Sequence, residues 1–145
     1  MNNQDPFVLA SYLPYKLTVV AQKLSAGFSE RYRERYGISI AEWRVLVHVA
    51  DAGLVSIRDI HERVHLDKVA ASRAASKLVE AGFLVKETNE TDRRLIALTL
   101  TPKGDAMMKE ILEIALQYQA KIETVLGDEK DALFEALDQL LEADL

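Results

Sequence analysis

The chain has 145 residues, enough for one domain with a buried core, and 49% hydrophobic with 28% charged residues is the balance of a globular protein, not a disordered one. The absence of cysteine excludes disulfides, thiolate metal sites and cysteine redox switches. A net charge of −5 argues against a nucleic-acid partner until it is resolved along the chain: residues 105–145 hold three cations against eleven acids, whereas residues 56–94 hold eight cations against seven acids. The acidic C-terminal segment therefore leaves room for a phosphate-binding face elsewhere, and is equally compatible with a merely solvated acidic helix. No apolar run approaches the roughly 20 residues that span a bilayer. Met1–Pro6 lacks the basic-then-apolar pattern of a leader, so a cytoplasmic protein without a membrane partner is expected.

Residues 8–36 carry Leu9, Leu13, Leu17, Val20, Leu24, Phe28, Tyr32 and Tyr36 at three- and four-residue spacing, which predicts a long helix with one apolar stripe. Pro14 conflicts with an unbroken helix and predicts either a start near itself or a short first turn. Ser39 and Glu42 have the spacing of a capping box and open a helix over 40–52. Ser56 and Asp59 repeat the device for a short helix over 57–64, and Asp67 caps another over 68–81. On that last helix Ala71, Ala74, Ala75, Leu78 and Val79 are placed inward. The period then changes to that of strands at 83–87 and 95–100, joined by the polar stretch 88–94 into an antiparallel hairpin with a projecting tip. Thr101-Pro102 starts a helix to about Leu126, and Asp128 is expected to cap a final one carrying Leu133, Phe134, Leu137, Leu140 and Leu141. The outer helices carry apolar stripes that the central piece cannot cover, so a partner chain is expected to cover them.

Two short helices with a tight link, Val64-His65-Leu66-Asp67, are what a helix-turn-helix requires. With the alanines inward, the second helix presents Lys68, Val69, Ser72, Arg73 and Ser76 outward. Arg73 can pair bidentately with guanine, Ser72 can reach a base edge or phosphate, and Val69 and Ala70 offer methyl contact to thymine. Lys68 and Lys77 suit phosphates. At the hairpin tip, Asp92 can hold a following arginine in a fixed orientation, and Arg93 and Arg94 can enter a narrow minor groove. A solvated helix face and a turn-stabilising ion pair are the plainer readings of the same residues.

The run Ile57-Arg58-Asp59-Ile60-His61-Glu62-Arg63 through Leu66-Asp67-Lys68, then Ser72-Arg73, Leu78-Val79-Glu80-Ala81-Gly82-Phe83-Leu84, Asp92-Arg93-Arg94 and Leu98-Thr99-Leu100-Thr101-Pro102-Lys103-Gly104, resembles the MarR family of bacterial regulators. Tyr36 to Leu46 also resembles the family's second helix. The resemblance implies a mainly α chain with a small β-hairpin wing, its winged helix-turn-helix core at 39–100 flanked by dimerisation helices at 8–36 and 102–145. It implies a homodimer that reads a palindromic operator in double-stranded DNA. Arg94 would be the inserted wing arginine and Asp92 its holder. It further implies a repressor, not an enzyme, released by a small and often aromatic ligand. Tyr12, Tyr15, Trp43 and His48 are the ligand-site candidates, with Met108 behind them, although aromatics at helical spacing also build cores. Val69-Ala70 stands where many members carry hydroxyl residues, which shifts readout toward Ser72, Arg73 and DNA shape.

One rival motif needs weighing. His61-Glu62-Arg63-Val64-His65 matches the H-E-x-x-H pattern of zinc hydrolases, which requires both imidazoles on one helical face and a third ligand. The remaining histidine, His48, lies upstream, and His61 sits beside apolar Ile57, Ile60 and Val64. No Gly-rich phosphate loop or nucleophile motif is present, so no cofactor is expected. The alternatives to a ligand-released repressor are a metal-responsive regulator using His61 and His65, an interaction module of the same fold without DNA affinity, and a metallohydrolase.

Overall fold

The computed structural model describes residues 6–88 and 96–145. A single 3-10 turn, Leu9–Ser11, precedes helix α1, Leu13–Tyr36, so both resolutions of the Pro14 conflict occur together: proline sits in the first turn, where its missing N–H costs nothing. Gly37 ends α1 in the left-handed conformation, φ 66°, donating its N–H to the Arg33 carbonyl. Helix α2, Ile40–Ala52, opens on the expected box: Ser39 Oγ accepts from the Glu42 N–H at 3.1 Å, and the Glu42 carboxylate accepts from the Ser39 N–H at 2.6 Å.

The next element departs from expectation. Val55–Ser56 forms a short strand, β1, and helix α3 is only Ile60–Val64, not 57–64. Ser56 pairs with Ala97 across the sheet, and its Oγ accepts from the Arg58 N–H instead of capping a helix. Helix α4, Lys68–Glu80, is capped as predicted, with Asp67 accepting from the Ala70 N–H at 2.8 Å. Asp67→Ala is expected to cost about 1 kcal/mol by orphaning that donor, read as a lower urea midpoint with an unchanged slope.

Strands β2, Leu84–Thr88, and β3, Ile96–Leu100, pair antiparallel with Leu84 opposite Leu100 and Thr88 opposite Ile96. With β1 on the other side of β3, the expected hairpin is a three-stranded sheet of order β1-β3-β2. Helix α5, Pro102–Leu126, is capped by Thr101, whose hydroxyl accepts from the Gly104 N–H. A 3-10 turn, Gly127–Glu129, leads into α6, Lys130–Glu142; Asp128 lies inside that turn and does not cap the helix.

The core lies where α2, α3, α4, the sheet and the start of α5 meet, around Leu46, Ile60, Leu78, Leu84, Leu98 and Ile111, all fully buried. The stripe on α1 behaves differently along its length. Tyr32 is buried, but Leu13, Leu17 and Val20 are exposed. On α5, Leu116 and Val125 are 70% and 83% exposed, and α6 buries none of its residues against the described chain. The apolar rows of the outer helices remain open within one copy.

Candidate nucleic-acid interface

The turn between α3 and α4 is set by His65, which adopts a left-handed conformation at φ 53° and donates its N–H to the His61 carbonyl. Histidine tolerates this region better than most side chains. That conformation takes His65 out of the helix, so the H-E-x-x-H letters do not place two imidazoles on one helical face. His61 Nδ1 instead lies 3.1 Å from the Arg58 carbonyl oxygen. Among the described residues no cluster of three or more His, Asp or Glu is arranged to hold a metal ion.

Beyond the turn, Ala71, Ala74, Ala75 and Leu78 bury one side of α4 against α2 and α3. Small side chains allow this close approach, and the geometry fixes which side of α4 faces out. Lys68, Val69, Ser72, Arg73, Ser76 and Lys77 are exposed, Val69 by 59%. Ala70 differs from the rest of the predicted set in being half-buried, and its N–H donates to the Asp67 carboxylate. Lys77 borders a cleft of about 270 Å³ shared with Arg33 and the α1–α2 turn, placing Arg33, which sequence reading did not single out, beside the end of the reading face. Asp92, Arg93 and Arg94 lie outside the described residues; the strand pair that carries them is in register to its last residues, Thr88 and Ile96.

The four ligand-site candidates do not converge within one chain. Trp43 is half-buried in an aromatic cluster, 5.1 Å from the Phe28 ring centroid and 5.7 Å from that of Tyr32. Tyr12 and Tyr15 are exposed near the start of α1, the Tyr12 ring centroid 5.2 Å from that of Phe7. At 1.5 Å of rise per residue, Tyr15 stands roughly 20 Å along the helix from Phe28. Met108 is buried core. Tyr118, which sequence reading did not single out as a site residue, stacks on Phe28 at 5.8 Å, donates to the Leu24 carbonyl at 2.8 Å and lines a cavity of about 270 Å³ between α1 and α5.

His48 is half-buried, and burial, then the Arg63 guanidinium, hold its imidazole below the usual range, with Asp51 opposing. The folded state thus binds the proton less readily than the unfolded chain. Stability attributable to this group is intact above the ordinary histidine value, about 6.5, and declines as pH falls below it. His48→Gln, neutral throughout, is expected to flatten the loss of stability between about pH 7 and pH 5, measured by urea unfolding at each pH.

Residues 36–95 match the family model described as MarR family. The HTH-type transcriptional repressor MdtR of Bacillus subtilis is 27% identical over 122 residues, covering 84% of this chain and 78% of the relative. The solved structure described as the mechanism for regulation of DNA binding of Bordetella bronchiseptica BpsR by 6-hydroxynicotinic acid aligns with a TM-score of 0.80 at 23% identity, covering 96% of this chain and 99% of the other. That of NadR in complex with 4-hydroxyphenylacetate aligns with a TM-score of 0.78 at 23% identity, covering 99% and 100%. These structures share the winged-helix fold described above.

Proposed function

We propose that this chain, whose residues 36–95 match the MarR family model, is a DNA-binding transcriptional regulator of that family, and that it acts as a homodimeric repressor of a palindromic operator, released by a small aromatic ligand. The observation that carries the reading is the division of α4. One side is locked into the core by alanines and Leu78, while the other offers Ser72, Arg73 and Ser76 between Lys68 and Lys77. That is the chemistry of base-edge readout flanked by phosphate contacts. Residues 39–100 form the DNA-binding lobe in this reading, with Asp92, Arg93 and Arg94 entering the minor groove. Residues 8–36 and 102–145 supply the dimer contact, which accounts for the open apolar rows on α1, α5 and α6.

Repression is supported by the relative described as a repressor, and an aromatic effector by the two neighbours described with 6-hydroxynicotinic acid and 4-hydroxyphenylacetate. A ligand beside Trp43 and His48 would meet Tyr12 and Tyr15 only from a second copy of the chain, given their separation along α1.

The test is selection of duplexes from a random-sequence pool by the full chain, followed by binding of the selected and a scrambled duplex across salt. The expected result is a two-fold symmetric sequence, bound at least about 10³-fold more tightly than the scramble and weakening steeply with salt. A pool that never departs from random would overturn the reading.

A further inference from the structure

The stretch Thr101-Pro102-Lys103-Gly104, part of the run that carries the family resemblance, opens α5, yet its polar atoms are spent on the end of α4. Thr101 Oγ1 donates to the Gly82 carbonyl at 2.6 Å while accepting from the Gly104 N–H at 3.0 Å. The Thr101 N–H donates to the Phe83 carbonyl at 3.1 Å. The Lys103 ammonium donates to the Ala81 carbonyl at 3.0 Å and stands 4.8 Å from the Phe83 ring centroid. Three successive carbonyls at the exit of α4 are thus held by the first turn of α5. Helix α4 is already closed by its own bonds, from the Ala81 N–H to Lys77, Gly82 to Val79 and Phe83 to Leu78. The clasp therefore serves the joint between the helices, with the lysine's charge also favoured at a helix C-terminus.

We propose that Thr101 and Lys103 are positioning residues for DNA recognition. They fix the direction in which α4 leaves α5, and so the placement of Ser72, Arg73 and Ser76. The clasp also passes any displacement of α5, the helix bearing the open row of Leu116 and Val125, to the reading face. The inference rests on the DNA-binding reading above, and its test separates the two.

The full chain, Lys103→Met, Lys103→Arg and Thr101→Val are compared on the duplex selected by the wild type and on a scrambled duplex, across salt, alongside thermal melting and amide exchange of Ser76–Ala81. For Lys103→Met and Thr101→Val, specific affinity is expected to fall about tenfold, the scale of one lost hydrogen bond. Scrambled-duplex affinity and the salt slope should hold. The α4 exit amides should exchange about tenfold faster, and Lys103→Arg should recover most of each effect. A salt slope reduced by about one would make Lys103 a phosphate contact instead. Equal loss on both duplexes, tracking the folded fraction, would make the clasp purely structural. Unchanged affinity would also overturn the proposal. If the wild type selects no duplex, the DNA-binding reading fails, while unchanged exchange at the α4 exit would independently sink the clasp.

Discussion

Replacing Gly104 with alanine is expected to destabilise the chain by about 3 kcal/mol, the upper range for forcing a methyl into packed structure. Gly104 is buried in the first turn of α5, and a Cβ there would be driven into the Phe83 carbonyl oxygen, with the Phe83 carbonyl carbon at 2.9 Å and Leu100 Cδ2 at 3.2 Å. Two of these three atoms are backbone, held in place by the Thr101 N–H and by the turn at Gly82, so the neighbour cannot swing aside. The intrinsic preference of a helix for alanine over glycine, about 1 kcal/mol, acts the other way and is outweighed. Gly53→Ala is the contrast. Its Cβ would meet nothing within 4 Å, and only the backbone conformation, φ +78°, opposes the change. That backbone, with ψ −43° outside the left-handed helical region, costs an L side chain about 1–3 kcal/mol. Urea unfolding of both variants checks the ordering; a Gly104→Ala protein as stable as wild type would mean the start of α5 is not seated on Phe83 and Leu100 as closely as described.

Arg73→Ala is expected to leave the fold intact, within about 0.5 kcal/mol, because the side chain is exposed on α4. Its effect should fall on DNA. A bidentate arginine–guanine pair contributes about 1–3 kcal/mol of discrimination, and the proposed dimer on a palindrome would use two, so specific binding should weaken by about 2–6 kcal/mol. Binding to a scrambled duplex should change far less. Lys77→Ala provides the comparison: loss of a phosphate contact weakens all sequences evenly and lowers the salt slope by about one. If Arg73→Ala weakened both duplexes alike, the arginine would be a backbone contact and readout would lie elsewhere on the helix or in the wing.

Local chemistry was legible wherever one side chain decided the outcome. Ser39 with Glu42, Asp67, and Thr101 before Pro102 each start a helix within one residue of the position their spacing implies. The alanine side of α4 was equally readable, because four buried positions at helical spacing leave only one arrangement of the exposed ones. Ser56 shows why the same reasoning fails elsewhere: its spacing to Asp59 matches a cap, but its backbone pairs with Ala97, forty-one positions away, and a two-residue strand has no periodicity to announce it. The surroundings of the ligand candidates were less legible for a related reason. Spacing puts Trp43 on the right face of α2 without revealing that Phe28 and Tyr32 claim its ring. Tyr118 and Lys103 gain their roles from Leu24 and Ala81, contacts across 94 and 22 positions that no local pattern encodes.

The uneven distribution of charge has a kinetic consequence. With eleven acids against three cations in residues 105–145, and the exposed cations of α4 on a different element, the chain carries a permanent electric dipole moment. Near a polyanion such a molecule experiences a torque as well as a force. At physiological ionic strength the screening length is about 8 Å, so the torque acts only over the last nanometre of approach. Within that distance it turns the cationic side forward, so a larger share of encounters arrives in the productive orientation. The acidic C-terminal segment repels a second duplex, which disfavours bridging two DNA segments.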